Sequence, residues 1–291
     1  MIELRVAETD DEVELWRSVR TALLPNERTS SVAELREGGN FLLLAYRDSE
    51  LAGSGSASKS DTGGGAIFPR VLPAHRRHGV GGALLERLAL QAQASGYDEV
   101  GSLVEDAGSL AFAQRFGFVE TGRQVEQVRA VGRDEPWPVL PDGISVISVA
   151  ERPELLRRLY DELALEAFED MPTPRKVEIA PEQWETEWLN WPEATFAALA
   201  GDEIVGMAGL ARDDDRPERA ENALTTVRRD RRGRGLARAL KEHVIAWASE
   251  RGIREIYTWT QTGNENMRAV NERLGYVTRD ISISVRRRLP L

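Results

Sequence analysis

The chain has 291 residues, of which 41% are apolar and 30% charged, and at about 150 residues per domain this length predicts two globular domains. Its longest apolar runs fall far short of the roughly 20 residues that cross a bilayer, and its polar, acidic start is unlike a secretory leader, so we expect a cytoplasmic protein with no membrane partner. The absence of cysteine excludes disulfides and cysteine nucleophiles, the three histidines predict no metal site, and the net charge of −10 argues against a nucleic-acid partner.

In the first half, helix and strand signals alternate from the start of the chain. Residues 2–7 alternate like a strand, and Thr9 with three acidic residues after it is typical of the capped start of a helix, which Pro25 ends. The elements predicted next are, in chain order, a hairpin over 40–47 and 51–59, a strand over 66–72, a helix from Val80 to Gly96, a strand over 99–104, a short helix over 110–115 and a long final strand or strand pair over 118–131.

The second half has the same order of elements. The predicted elements are a strand over 144–149, helices over 153–168 and 181–191, strands over 194–200, 203–212 and 220–227, a helix over 236–252, a strand over 255–260, a helix over 267–274 and a closing strand over 276–287. Between the halves, residues 132–143 contain three prolines and two glycines, which is typical of a linker. We therefore expect domains at 1–131 and 144–291.

The two halves also repeat each other residue by residue. Val, Arg, Gly, Ala and Leu coincide between segments 71–84 and 227–240, at a constant offset of 156 residues. Further on, Phe-Gly-Phe at 116–118 corresponds to Leu-Gly-Tyr at 274–276, at an offset of 158 residues. A drift of two residues is one small loop insertion, so the chain is predicted to contain two similar units in tandem.

Each repeated segment leaves a predicted strand and opens a predicted helix. The first N–H groups of a helix have no partner within it and attract anions, and glycines let a phosphate approach the backbone. Residues 228–234 contain five arginines and one aspartate within an acidic protein. We therefore predict a phosphate-binding loop in each half. The loop is not a mononucleotide P-loop, which needs Gly-Lys-Ser/Thr. It is not a dinucleotide fingerprint either, because Arg238 stands where the third glycine would be.

At these residues the sequence resembles the GNAT superfamily of acyl-CoA-dependent N-acyltransferases, whose loop reads Arg/Gln-x-x-Gly-x-Gly/Ala after the fourth strand. The corresponding residues of this chain are Arg76, Gly79 and Gly81 in the first half, and Arg232, Gly235 and Ala237 in the second. The resemblance covers nearly the whole chain. It implies an α/β (α+β) fold of two tandem GNAT-type domains, each with a mixed, mostly antiparallel twisted sheet flanked by helices.

The resemblance implies acetyl-CoA, or another acyl-CoA, as co-substrate. Its pyrophosphate is expected on the loop amides, and its pantetheine arm along the strand end where the fourth and fifth strands part. The residues assigned to the coenzyme in this way are Val71, Arg76, Arg77, His78, Gly79, Val80, Gly81 and Gly82 in the first unit, and Val227, Arg232, Gly233, Arg234, Gly235, Leu236, Ala237 and Asn264 in the second. An amine would attack the thioester directly, with no covalent enzyme intermediate.

Three features favour the second unit as the catalytic one. Its loop carries more positive charge, and Asn264 stands at the family's asparagine position, where the first unit has Asp106. Glu221 lies six residues before Val227, where some family members carry a general base, whereas the first unit has Gly65 there. We therefore predict Glu221 as a catalytic residue and the first unit as a supporting pseudo-domain. A solvent-facing Glu221, and a second coenzyme in the first unit, stay open.

The family's usual general acid is missing from both units. Many members place a tyrosine four residues before the glycine of the Gly-Phe ending, and here Asn271 and Ala113 occupy those positions. Asn271 is the predicted partner of the departing sulfur, with water, Tyr257 or Tyr276 as the alternative proton donor.

The acceptor side offers two weaker signals. Trp184, Trp188 and Trp191 form either an aromatic wall of the acceptor pocket or packing of the core. The acidic turn at 213–215 either attracts a cationic acceptor or is simply solvated.

The predicted function is transfer of an acetyl group from acetyl-CoA to the amine of a small molecule, such as an aminoglycoside, another amine metabolite or an amino acid. Alternatives are an acetyltransferase like mycothiol synthase, which is also a tandem GNAT protein, and a non-catalytic acyl-CoA-binding or regulatory module. An aminoacyl-tRNA-dependent peptidyl transferase also uses paired units, but the acidic net charge argues against it. A monomer is favoured over a homodimer, since paired units can satisfy internally the contacts that single-domain relatives make by dimerising.

Overall fold

The fold is known from a computed structural model that describes residues 1–27, 29–173, 176–213 and 216–291, leaving aside the side chain of Glu187. Its contacts divide the chain into two compact units. The first unit is Met1–Arg123 together with Ser282–Leu291, and the second is Gln124–Ile281.

The first unit is a mixed sheet with helices between its strands. In chain order it contains β1 (Ile2–Val6), α1 (Asp10–Leu23), α2 (Val32–Glu37), β2 (Phe41–Arg47), β3 (Glu50–Lys59), β4 (Gly65–Val71), α3 (Val80–Ala94), β5 (Glu99–Val104), α4 (Ala107–Arg115) and the start of β6 (Val119–Ala130). The strand order is β1-β2-β3-β4-β5, with antiparallel neighbours except for the parallel pair β4 and β5.

The second unit repeats this plan. It contains the end of β6, then β7 (Ile144–Ser148), α5 (Glu154–Leu159), α6 (Leu165–Asp170), α7 (Pro181–Gln183), β8 (Thr195–Ala200), β9 (Glu203–Arg212), β10 (Arg219–Val227), α8 (Leu236–Glu250), β11 (Glu255–Gln261), α9 (Glu265–Arg273) and the start of β12 (Val277–Arg288). A π-helical turn at Tyr160–Ala164 joins α5 to α6. The strand order is β7-β8-β9-β10-β11-β6, and only β10 and β11 are parallel.

The expected domains, 1–131 and 144–291 with a linker at 132–143, follow the order of the chain, whereas the compact units do not. The end of β12 groups with the first unit, because Ile283 to Arg288 lie antiparallel to β5. The end of β6 groups with the second unit, because residues 124–130 pair with β11. Each compact unit therefore includes the end of a strand that the expected domain boundaries place in the other domain.

Helix α1 begins where the sequence predicts. The Thr9 hydroxyl accepts a hydrogen bond from the Glu12 backbone N–H at 3.3 Å, and the Glu12 carboxylate accepts one from the Thr9 N–H at 2.9 Å. This capping box satisfies two amides that the helix cannot. Helix α2 was not predicted, although Ser31 and Glu34 form a second capping box, because the helix has only six residues.

The cores lie where the helices cover the sheets. In the first unit, Leu84 and Leu88 of α3 are fully buried in one cluster with Ile67 of β4. In the second unit, Trp184 is also fully buried, and its ring stacks on that of Trp188 with centroids 6.4 Å apart. Two of the three tryptophans considered for an acceptor wall, Trp184 and Trp188, therefore belong to core packing.

Among the helices of the described residues, none combines the length and the apolar character needed to cross a bilayer.

Replacing Thr9 by alanine removes the hydroxyl that caps α1. We expect a loss of about 1 kcal/mol in the free energy of unfolding of the first unit, measured by urea denaturation. Ser18→Ala, an exposed change in the middle of the same helix, serves as the control and should cost nothing. Equal stability of Thr9→Ala and the wild type would contradict the role of the cap.

Candidate functional site

In each unit the parallel pair of strands is short, and its two strands then part. Within the described residues, β4 pairs with β5 only at Gly65 and Ala66, although it stays paired with β3 as far as Val71. In the second unit, β10 pairs with β11 only from Arg219 to Glu221. Beyond these residues, the N–H and C=O groups on the facing edges of the two strands border an opening and do not pair with each other. Buried backbone groups need hydrogen-bond partners. The opening suits a ligand that carries amide groups of its own.

The loops after β4 and β10 have the same backbone geometry. Gly79 and Gly235 both have a positive φ, of +86° and +80°, and each immediately precedes the first residue of a 15-residue helix. Two residues earlier, Arg77 and Gly233 also have positive φ values, of +64° and +76°. The sequence repeat is therefore a repeat of conformation, and Arg77 adopts a left-handed geometry that favours glycine.

A guanidinium closes each loop onto the strand before it. Arg76 Nε donates to the Val71 carbonyl oxygen at 3.1 Å, and Arg232 Nε donates to the Val227 carbonyl oxygen at 2.8 Å. The first arginine of the motif thus holds the loop onto the strand.

The parted strands of the first unit border a cavity of about 880 Å³. This volume lies within the range of about 300–1,000 Å³ that is typical of small-molecule sites. Six residues assigned to the coenzyme from sequence line it, namely Val71, Arg76, Arg77, Gly79, Gly81 and Gly82. The other two do not: Val80 is buried in the core, and the exposed His78 has Nδ1 2.7 Å from the Arg76 carbonyl oxygen.

Two glycines of the first helical turn have a packing role. A Cβ atom at Gly81 would lie 3.3 Å from the Phe112 ring, and one at Gly82 would lie 3.5 Å from the Phe116 ring. The two rings belong to the α4 region and contact each other, with centroids 4.9 Å apart. The glycines let the start of α3 approach this aromatic pair, which also lines the cavity.

The loop of the second unit has different surroundings. Arg232 Nη2 lies 2.7 Å from Asp170 Oδ2, and Arg229 Nη2 lies 2.7 Å from Asp170 Oδ1. The backbone N–H of Arg229 donates to Glu166 Oε1 at 2.9 Å. The Arg229 guanidinium, followed by Arg232, lowers the pKa of Asp170. The carboxylates of α6 thus neutralise part of the positive charge that the sequence analysis assigned to a polyanion.

The remaining loop residues of the second unit divide into open and packed positions. A Cβ atom at Gly233 or Gly235 would meet nothing within 4 Å, so both face open space. Arg234 is exposed, whereas Leu236 is buried and Ala237 packs against the same core.

Glu221 is half-buried on β10, and Tyr257 of β11 donates to its Oε2 at 3.4 Å. The Tyr257 ring lies under the Arg219 guanidinium, 4.7 Å from ring centroid to Cζ. Of the acidic turn at 213–215, Asp213 is buried, with Oδ2 3.8 Å from Arg219 Nη1. Asp214 and Asp215 lie outside the described residues.

The two asparagines assigned to the second unit's site contact its own backbone and core. Asn264 Oδ1 accepts from the Met267 N–H at 3.4 Å and so caps α9. Asn271 is fully buried, and its Nδ2 donates to Gln127 Oε1 at 2.9 Å. Their roles toward the coenzyme arm and the sulfur stay predictions.

The second unit also buries a lysine that sequence reasoning missed. Lys241 Nζ donates to Asn222 Oδ1 at 2.6 Å and lies 5.2 Å from the centroid of the Tyr276 ring. Burial lowers the pKa of Lys241 to about 7. The first unit has Leu85 at the corresponding position of the repeat, and this difference is the signal that could have revealed it.

Two charged residues of the first unit's cavity were missed as well. Glu105 follows β5 directly, and burial, followed by the nearby Glu27, raises its pKa to about 7. Arg70 lies near the end of β4, and burial lowers its pKa to about 10. Both flank the opening between strands whose carboxyl ends meet there, which is where open sheets of this kind bind ligands. Among the described residues, no group of three or more acidic or histidine side chains could hold a metal ion.

The sequence matches the acetyltransferase (GNAT) family over residues 4–118 and again over residues 156–276. The chain therefore belongs to the GNAT acetyltransferase family, and it contains two of its domains, as the repeated loop predicted. A mycothiol acetyltransferase of Geodermatophilus obscurus is 30% identical over 289 residues, which cover 89% of this chain and 87% of the relative. A mycothiol acetyltransferase of Catenulispora acidiphila is 26% identical over 249 residues, 82% of this chain and 78% of the relative.

Solved structures confirm the fold. A GCN5-related N-acetyltransferase from Sphaerobacter thermophilus superposes with a TM-score of 0.77 at 20% identity, over 100% of this chain and 97% of that one. A tandem GNAT protein from the clavulanic acid biosynthesis pathway superposes with a TM-score of 0.76 at 18% identity, over the full length of both chains. The predicted fold of two GNAT domains with mixed, mostly antiparallel sheets is therefore confirmed.

Replacing Lys241 by methionine tests its buried, partly neutral state. The unfolded chain binds one more proton than the folded one between the folded pKa of about 7 and the ordinary value of 10.5. The stability of the wild type should therefore rise with pH in this interval, relative to Lys241→Met, by about 1.4 kcal/mol per pH unit. Denaturant unfolding at pH 7, 8 and 9 measures the difference.

The exposed Lys176→Met variant is the control, and its stability should follow the pH dependence of the wild type. Parallel curves for the wild type and Lys241→Met would show that Lys241 stays charged in the folded protein.

Proposed function

We propose that this protein transfers an acetyl group from acetyl-CoA to the amine of a small molecule, and that the coenzyme binds in the cavity of the first unit. The observation that carries the proposal is this cavity of about 880 Å³, which has the GNAT loop on its rim and parted strands along its side. Membership of the acetyltransferase family supports the reaction class, and the cavity supports the location.

The start of α3 suits a pyrophosphate. Gly79 precedes the helix without a side-chain cap, so the first amides of α3 have no side-chain acceptor at that position. These N–H groups and the positive end of the helix dipole attract an anion. Arg76 and Arg77 line the same rim and add two positive charges. In the second unit the corresponding Arg232 is paired with Asp170, which would have to be displaced.

The parted strands suit a chain of amides. Between Ala66 and Val71, the side of β4 that faces the opening has no partner strand among the described residues. The amides of a pantetheine arm would satisfy these groups as a neighbouring strand does. The bound coenzyme supplies an activated acetyl thioester, and the chain's task is to position the amine and take its proton.

Glu105 is the group in this cavity that is best suited to take a proton. It lies at the carboxyl end of β5, in the wall of the cavity, and its raised pKa of about 7 makes it a stronger base than an ordinary carboxylate. Glu221 of the second unit, the base predicted from sequence, is the competing assignment.

A mycothiol-type acceptor is the second candidate. It is favoured by relatives named mycothiol acetyltransferase that cover 82% and 89% of this chain. Turnover of the thiol precursor of mycothiol in preference to other amines would establish it.

Isothermal calorimetry with acetyl-CoA tests the location of the coenzyme. A glutamate in place of Gly79 or Gly235 sets a negative charge at one loop only. We expect the wild type to bind acetyl-CoA, Gly79→Glu to lose this binding, and Gly235→Glu to retain it. The matched control is Gly96→Glu, because Gly96 has the same φ of +86° at the opposite end of α3 and open space around it.

Loss of binding in Gly235→Glu but not in Gly79→Glu would place the coenzyme in the second unit, as the loop charge suggested. If the wild type binds two molecules of acetyl-CoA per chain and each variant binds one, the proposed site stands and the second unit holds another. No binding to the wild type would refute the acetyltransferase proposal.

Replacing Glu105 by glutamine tests the base. Activity of the wild type should fall as the pH drops below about 7, because the carboxylate becomes protonated. Glu105→Gln should lower kcat/KM by about 10²- to 10⁴-fold and remove this acid limb. The measurement is release of free coenzyme thiol across pH 5.5 to 9. If Glu221→Gln rather than Glu105→Gln removes the limb, the base belongs to the second unit.

A further inference from the structure

The cavity of the first unit has two groups of opposite charge in its wall that form no ion pair with each other. Arg70 and Glu105 both line it. Among the described residues, neither the guanidinium nor the carboxylate has an oppositely charged group within 4.0 Å. The Arg70 guanidinium contacts an aromatic face instead, 5.2 Å from the centroid of the Phe68 ring. Half-buried charges without a partner are costly, so their presence in a cavity points to a ligand.

Arg70 lies on the face of β4 opposite to α3. Successive strand residues point to opposite faces, and Ile67 packs into the core with Leu84 of α3. Phe68 and Arg70 have the other parity and therefore face away from α3. The anion that Arg70 would bind is thus distinct from the pyrophosphate expected at the start of α3.

Two of the charges that act on Arg70, Arg20 and Glu27, are paired with each other. Arg20 of α1 forms an ion pair with Glu27, with Nη2 3.0 Å from Oε2. The end of α1 contributes only the apolar side chains of Leu23 and Leu24 to the cavity wall. A ligand beside the end of β4 would therefore meet the Arg70 guanidinium, the Glu105 carboxylate and an apolar surface that includes the Phe68 ring.

We propose that the acceptor of this acetyltransferase is zwitterionic: an amino acid or a close analogue, whose carboxylate binds Arg70 and whose amine lies beside Glu105. The proposal rests on the function proposed above and names its substrate class. A neutral amine would leave the guanidinium without a partner, and a dianionic acceptor would set a negative charge against Glu105. A zwitterion satisfies both groups at once.

The reaction balances without a further reactant. The ammonium group of the zwitterion first gives one proton to Glu105, which passes it to solvent and leaves a neutral amine with a lone pair. The amine nitrogen then forms the C–N bond to the acetyl carbon, the C–S bond of the thioester breaks, and its electron pair leaves on sulfur. The second proton lost by the nitrogen passes through solvent to the thiolate. The products are the N-acetyl amino acid and free coenzyme A.

The test compares each of the twenty common amino acids with its carboxamide, using release of coenzyme thiol as the readout. Acid and amide share side chain and amine and differ in the negative charge that Arg70 would bind. For the preferred side chain, we expect kcat/KM to be about ten- to a hundred-fold higher for the acid, mainly through KM, as for a charge-assisted hydrogen bond. Arg70→Gln should remove this preference, so that the acid and its amide react with similar kcat/KM.

Arg5→Gln is the matched control, because Arg5 is an exposed arginine of the same unit, paired with Glu3 outside the cavity. It should retain the preference. Amides that react as well as acids, or an acid preference that survives in Arg70→Gln, would overturn the zwitterionic acceptor while leaving the acetyltransferase proposal intact. Turnover of other amines but of no amino acid would do the same. Failure of the wild-type protein to bind acetyl-CoA would instead contradict the proposed function itself.

Discussion

In each unit, the structure depends on a parallel strand pair that is hydrogen-bonded only over a few residues and then parts. β4 and β5 share only two residue pairs before they part, and β10 and β11 share three. The backbone groups that face the opening beyond these pairs need another partner, because an unpaired N–H or C=O group inside a protein is costly. The loop and helix that follow β4 place further unpaired N–H groups at the same opening. The family's coenzyme has the amides and phosphates that such an opening requires.

The two units share this opening but differ in what surrounds it. In the first unit, the end of α1 offers leucines, and the loop arginines line an open cavity. In the second unit, α6 offers Glu166 and Asp170, which hold Arg229 and Arg232. Asp170 is the last residue of α6, where the helix dipole disfavours a negative charge, so the arginines stabilise it there. The same motif can therefore hold a coenzyme in one unit and a neighbouring helix in the other.

The sequence predicts the parts of this account that are local. Strand β5 has the predicted bounds, the start of α1 follows from Thr9 and Glu12, and the repeat of the loop predicts two GNAT domains, which are confirmed. What it does not predict depends on residues that are distant in the chain. Examples are the grouping of the last ten residues with the first unit, the pairing of Asp170 with Arg232, and the meeting of Arg70 with Glu105 in one cavity. The positive charge of its loop was one of three features that favoured the second unit, and the pairing of this loop with Asp170 was not predicted because Asp170 lies more than 50 residues away in the chain.

Hydrogen–deuterium exchange with and without acetyl-CoA tests most directly whether the first unit holds the coenzyme. The method reports on each loop separately in the unmodified chain, and the repeat provides an internal comparison. The account predicts slower exchange on addition of acetyl-CoA in the peptides that cover residues 67–71 and 79–83, with little change at 235–240. Protection confined to residues 232–240, with none in the first unit, would contradict it.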